Sequence, residues 1–147
     1  MLSCFLLIIN SEDNIMIQVY SNNPTAILAG GDLPFTGFKS RKGCSTTLNS
    51  GGVALNTPGV YMIVANFSYE ATAAGDITVT QRVNGVVSNV DLATASADAA
   101  GIVNLTIPSL VTVDRECCSC GNSAMVSYQV NAAGTLVSAN ATVTKIV

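Results

Sequence analysis

The sequence predicts an all-β chain, an antiparallel two-sheet sandwich or barrel of about eight to ten strands. Three observations carry that reading. Ala, Val, Thr, Ser, Asn and Gly dominate the composition, and together they favour pleated strands and turns over helices. Turn signals recur at regular short intervals along the chain. Between two of them lies a long alternating run at residues 60–69. Its side chains fall on opposite faces with period 2. Tyr61, Ile63, Ala65, Phe67 and Tyr69 line one face, apolar throughout, while Val60, Met62 and Val64 make the other face apolar until Asn66 and Ser68.

Each element follows from local signals. Residues 17–20 form a short strand closed by Ser21-Asn22-Asn23-Pro24. Residues 27–29 precede Gly30-Gly31-Asp32, and 33–38 read as another short strand. Residues 46–48 and 53–55 flank Asn49-Ser50-Gly51-Gly52, a hairpin turn. After the long strand, 71–76 turn the chain, and Ile77, Val79, Gln81 and Val83 alternate with Thr78, Thr80 and Arg82. Asn84-Gly85 is the strongest hairpin signal, because a type I′ turn needs positive φ at both central positions. Residues 86–92 return, and 93–101 read as a small-residue loop. Alternation resumes over 102–107, an edge follows at 110–113, and strands are expected at 125–130 and 136–147, separated by Asn131-Ala132-Ala133-Gly134. No repeat or linker divides the chain, so residues 16–147 read as one domain.

Residues 1–15 stand apart. Their apolar stretch lacks a positively charged start and a small-residue cleavage site, so they do not read as a signal peptide. Glu12-Asp13 is encodable as a purine-rich GAGGA ribosome-binding sequence a short distance before the codon for Met16. The expectation is therefore that Met16 is the natural start and residues 1–15 are translated leader.

Composition narrows the function. At 147 residues the chain can bury a real core. It has no histidine, nine carboxylates and only 10% charged residues, which removes the usual general acid–base group and argues against an enzyme. A net charge of −3 and a pI near 4.5 argue against a nucleic-acid partner, which calls for a basic face. No apolar run approaches the roughly 18 residues that span a bilayer, so no membrane partner is expected.

The motifs resemble a known superfamily. Pro58-Gly59-Val60-Tyr61-Met62-Ile63-Val64 is similar to the glycine-aromatic strand of the tumour-necrosis-factor/C1q-like jelly rolls. Gly75-Asp76-Ile77-Thr78-Val79 with Val83-Asn84-Gly85 resembles the next strand and its hairpin, and residues 138–146 resemble the closing strand. One departure is local: Pro108-Ser109-Leu110 stands where those domains carry an acidic Gly-Asp pair. A narrower resemblance is to small head-fibre or minor structural proteins of Firmicutes phages and prophages. It rests on Met16-Ile17-Gln18-Val19-Tyr20-Ser21, Lys42-Gly43-Cys44, Cys117-Cys118-Ser119-Cys120 and the closing Val143-Thr144-Lys145-Ile146. The resemblance implies a homotrimeric jelly roll displayed on a virion, made in the bacterial cytoplasm, with capsid proteins as partners. A trimeric binding module for a host-surface or mucosal glycan is the alternative. The scarcity of aromatic residues, eight in all, favours architecture over a dedicated receptor surface.

Three groups of residues are candidates for that role. Val60, Met62 and Val64, with Val137, Ala139, Ala141 and Val143 from the terminal strand, are expected to line the subunit interface. Large apolar patches mark contact surfaces, and closed symmetry covers them without building filaments. Physics alone permits a dimer, and the resemblance makes the closure threefold. Cys44, Cys117, Cys118 and Cys120 are candidates for disulfides or, less strongly, for structural zinc. Adjacent Cys117 and Cys118 are poorly placed to bridge each other, and a zinc site usually needs four ligands. No other cofactor is expected. Lys39, Arg41 and Lys42, half of the six basic residues, could dock on an acidic capsid surface or simply form a solvated loop. Asn66-Phe67-Ser68, Asn104-Leu105-Thr106 and Asn140-Ala141-Thr142 match the glycosylation pattern. All three fall inside expected strands and read as chance products of an Asn-, Ser- and Thr-rich chain.

Overall fold

Strict period-2 burial runs through residues 61–71, 102–113 and 124–130 and divides their side chains between a shared core and two outer faces. The computed structural model describes residues 16–42, 46–114 and 123–146. Its strands are β1 (Met16–Ser21), β2 (Thr25–Ile27), β3 (Gly37–Lys42), β4 (Thr46–Asn49), β5 (Gly52–Leu55), β6 (Gly59–Ala71), β7 (Gly75–Val83), β8 (Val86–Ala97), β9 (Ile102–Val113), β10 (Ala124–Val130) and β11 (Gly134–Lys145). One sheet has the order β3-β1-β11-β6-β9, with β2 also on β11, and the other has the order β4-β5-β10-β7-β8. Every pairing is antiparallel.

The two inner faces close on one hydrophobic core. Tyr61, Ile63, Phe67, Ile77, Val79, Leu105 and Val143 are all buried in it, as the alternation requires. Phe67 packs against Phe35 and Tyr128, with ring centroids 5.8 and 5.1 Å away. One polar group crosses this core. The Gln81 side-chain amide of β7 donates to Ser109 Oγ of β9 at 2.6 Å and to the Tyr128 hydroxyl of β10 at 3.0 Å. Burial pushes the Tyr128 phenol up to about 12, against the opposing effect of its hydrogen bonds to Gln81 and Ser109.

Turn chemistry fixes the hairpins. Asn84 and Gly85 have φ of 53° and 81°, the positive pair that a type I′ turn demands, and they join Val83 to Val86 in register. Ser50 and Gly51 repeat the device at 52° and 82° between Asn49 and Gly52.

Three segments differ from the sequence expectation. Residues 33–36 are not a regular strand. Leu33 and Phe35 are buried anchors whose backbone N–H groups donate to Tyr128 and Gly51 carbonyls at 2.8 and 2.9 Å. Residues 93–97 are not a loop but the end of β8, where Ala93, Ala95 and Ala97 turn inward and Thr94 and Ser96 outward. Pairing with β7 overrides the weak strand propensity of alanine there. β9 runs unbroken through Pro108, with no turn at Pro108-Ser109-Leu110. Proline is tolerated because β9 is an edge strand, where one side of the backbone needs no ladder partner.

Candidate assembly face

The outer face of the β3-β1-β11-β6-β9 sheet divides into an apolar end and a polar end, and strand register places each residue. Met16, Thr144, Met62 and Leu110 form one row across β1, β11, β6 and β9. The next row is Gln18, Thr142, Val64 and Pro108. Beyond Met62 toward the strand end lie Val60 and Ile146, joined by a 2.8 Å bond from the Ile146 N–H to the Val60 carbonyl. Met16 is 55%, Met62 42% and Leu110 63% exposed, while Val60 and Val64 are half-buried. The start of this strand is held from beneath: the buried Tyr61 hydroxyl donates to the Thr57 carbonyl at 2.8 Å.

Four residues along the strands the face changes character. Asn140 and Thr106 pair with Asn66 in register. The Asn66 side chain donates to Asn140 Oδ1 at 3.0 Å and accepts from Thr106 Oγ1 at 2.7 Å. Ser68 donates to Asn104 Oδ1 at 2.6 Å. The three glycosylation-like triplets are therefore neighbours on one sheet, and their polar positions bond to one another. Polar-x-polar spacing is what a hydrogen-bonded sheet face requires.

This layered arrangement matches solved structures closely enough to settle the fold. It is the jelly roll of the tumour-necrosis-factor and C1q-like domains. The globular domain of zebrafish complement 1qA aligns with a TM-score of 0.67 over 90% of this chain and 98% of its own, at 14% identity. The Eiger tumour necrosis factor of S. frugiperda aligns at 0.68 over 92% and 94%, at 10% identity. The PRD1 vertex protein P5 aligns at 0.63 over 93% and 100%, at 16% identity. No family model and no curated sequence matches the chain.

The jelly roll separates the expected interface residues. Val60, Met62 and Val64 do lie on the outer face. Ala139, Ala141 and Val143 do not: they are 4%, 0% and 0% exposed and pack in the core beside Phe67, Ala65 and Ile63. Val137 is the extra residue of a β-bulge between Leu136 and Ser138. That bulge puts Leu136 and Ala139 both in the core and leaves Asn140, Thr142 and Thr144 to the outer face. The apolar contribution missed in the sequence comes instead from Met16 of β1 and from Pro108 and Leu110 of β9. These are isolated apolar residues whose position becomes evident only from the strand register.

The basic segment is strand, not loop. Lys39, Arg41 and Lys42 all belong to β3, an edge of the sheet. Arg41 lies 4.7 Å from the Phe38 ring centroid and donates to the Thr46 carbonyl at 3.3 Å. Lys42 is in register with Met16, whereas Lys39 falls at a bulge between Phe38 and Ser40. The solvated-loop alternative is thus replaced by an edge strand. Cys44, Cys117, Cys118 and Cys120 lie outside the described residues, as do residues 1–15. Among the described residues no group of three His, Cys, Asp or Glu is arranged to hold a metal.

Proposed function

We propose that this chain is a non-enzymatic structural protein of a phage particle, a homotrimeric capsid fibre or decoration protein on the virion surface. The observation that carries the reading is the apolar end of the outer face, Met16, Val60, Met62, Val64 and Leu110, on a jelly roll with few charges. Such a patch is costly in water and is covered most simply by copies of the same chain in a closed ring. The patch runs from the middle of the sheet at Met62 to its edge at Leu110, a stretch that a contact repeated around an axis can cover. A closed interface of that kind buries about 2,000–5,000 Å² in total. The likeness to the PRD1 vertex protein P5 along its whole length supports the virion setting. The shortage of acid–base groups supports a structural role.

Mass spectrometry of purified virions from the host that carries this gene tests the reading. The chain is expected among the particle proteins at a fixed multiple of three per attachment point. Its absence from intact particles, with the protein abundant in the cell lysate, overturns the reading.

A further inference from the structure

Along the same sheet face, away from the apolar end and toward the β3 edge, the ladder is interrupted twice. In β3, Lys39 is an extra residue: Phe38 pairs with Val19 and Ser40 with Gln18, although Val19 and Gln18 are adjacent. In β11, Val137 is extra between Leu136 and Ser138. Bulges bend the strand that carries them and re-aim side chains. Here they flank β1 and accompany an open groove of about 380 Å³, whose lining includes Gln18, Tyr20, Asn22, Lys39, Ser138 and Asn140.

The groove has a consistent chemistry. Tyr20 is half-buried and lies against Gly37, where a Cβ would come within 3.1 Å of the tyrosine ring. Glycine thus lets one side of the ring rest on the neighbouring strand, making a firm aromatic plate. Asn140 accepts from Asn66 through Oδ1, which orients its amide and leaves Nδ2 to donate elsewhere. Gln18, Asn22 and Ser138 add further donors and acceptors. Lys39 is exposed and has no ion-pair partner among the described residues, and no carboxylate lines the groove. In a chain of net charge −3, that is a local site for an anion.

The geometry points to a binding site for a carboxylated sugar. An aromatic plate beside amides and a hydroxyl suits the alternating C–H and O–H surface of a pyranose, and a single cation suits one carboxylate. Phosphate recognition usually draws on arginine forks or convergent backbone N–H groups, and drug-like apolar ligands need a more enclosed, hydrophobic cavity. The Tyr20 row lies four residues, roughly 13 Å, from the Met16 row. The groove also occupies the β3 side of the sheet, opposite β9. Gln18 shares its row with Val64 of the assembly patch, so the groove borders that patch, and the inference rests on Tyr20, Lys39 and Asn140 rather than on the assembly reading.

Saturation-transfer NMR on the full chain tests it, with sialyllactose and a glucuronic-acid-terminated disaccharide as probes and lactose as neutral control. Transfer to at least one acidic probe is expected, with lactose at least about twofold weaker; the probe that responds distinguishes sialate from uronate as the source. Lys39→Gln should lower affinity for the acidic probe about two- to fivefold, as loss of an exposed ion pair does, and leave lactose unchanged. Tyr20→Leu, which retains cover over Gly37, should abolish transfer. Thermal unfolding of each variant confirms that the fold is intact. No transfer to either acidic probe, or transfer that survives both substitutions, overturns the assignment.

Discussion

Phe67→Ala is the substitution that most sharply tests how the two sheets are held together. Phe67 is 1% exposed, with Ala139 and Leu105 beside it in register. Its ring meets Phe35 and Tyr128 at centroid distances of 5.8 and 5.1 Å. Truncation removes apolar burial and leaves a cavity that Ala139 is too short to fill. Such changes cost about 3–5 kcal/mol. Two aromatic contacts, each worth about 0.5–1.5 kcal/mol beyond burial, place this one in the upper half of that range. Urea unfolding is the assay, at one fixed protomer concentration because any assembly adds to apparent stability by mass action. With a slope of about 1–3 kcal/mol per molar urea, the midpoint should fall by roughly 1–5 M, enough to unfold a marginal chain. Thr72→Ala, in an exposed turn, should change stability by less than about 0.5 kcal/mol. A loss below about 1 kcal/mol for Phe67→Ala would refute the inference that this aromatic cluster is the centre of the core.

Other consequences follow from the same structure. Tyr128, pushed up to about 12 by burial, should contribute full stability below about pH 10, the ordinary tyrosine value, and lose it as pH rises toward 12 because the unfolded phenol ionises first. Urea titrations should show Tyr128→Phe sparing on the order of 1 kcal/mol of the decline between about pH 9 and pH 11; parallel declines in both proteins would contradict this. Met62→Asp should break assembly or solubility, because an unpaired charge would be buried in the contact; an unchanged assembled mass would place the contact elsewhere. Cys44, Cys117, Cys118 and Cys120 are candidates for disulfides formed after release from the cell. Air-exposed protein should then show altered mobility on non-reducing gels, reversed by thiol reagents, unless elemental analysis finds zinc; free thiols throughout, with no metal, would reduce the cluster to a turn.

Much of this fold is legible in the sequence because turn chemistry and alternation agree there. Asn84-Gly85 marks its hairpin, and Tyr61 through Tyr69 mark a core face without help from any other strand. The errors arise where tertiary pairing decides. Alanines 93, 95 and 97 carry too little hydrophobic signal to announce a strand, yet β7 holds them in one. The bulge at Val137 shifts the phase of the terminal strand, so its small apolar residues fill the core rather than an interface. A one-residue irregularity is enough for that, since every later side chain changes face. The assembly patch is half legible: Val60, Met62 and Val64 lie on one strand, but Met16 and Leu110 join them only through register. The groove was not legible at all, because Gln18, Tyr20, Lys39 and Asn140 come from three strands and two bulges.

The central claim is that copies of this chain cover one another's β6 face. Multi-angle light scattering of the wild-type protein at micromolar concentration measures this directly. The expected particle has three times the 15.1 kDa chain mass and keeps it on dilution, as an obligate apolar interface should. A stable, well-behaved monomer with Met62 and Leu110 open to water would contradict the account.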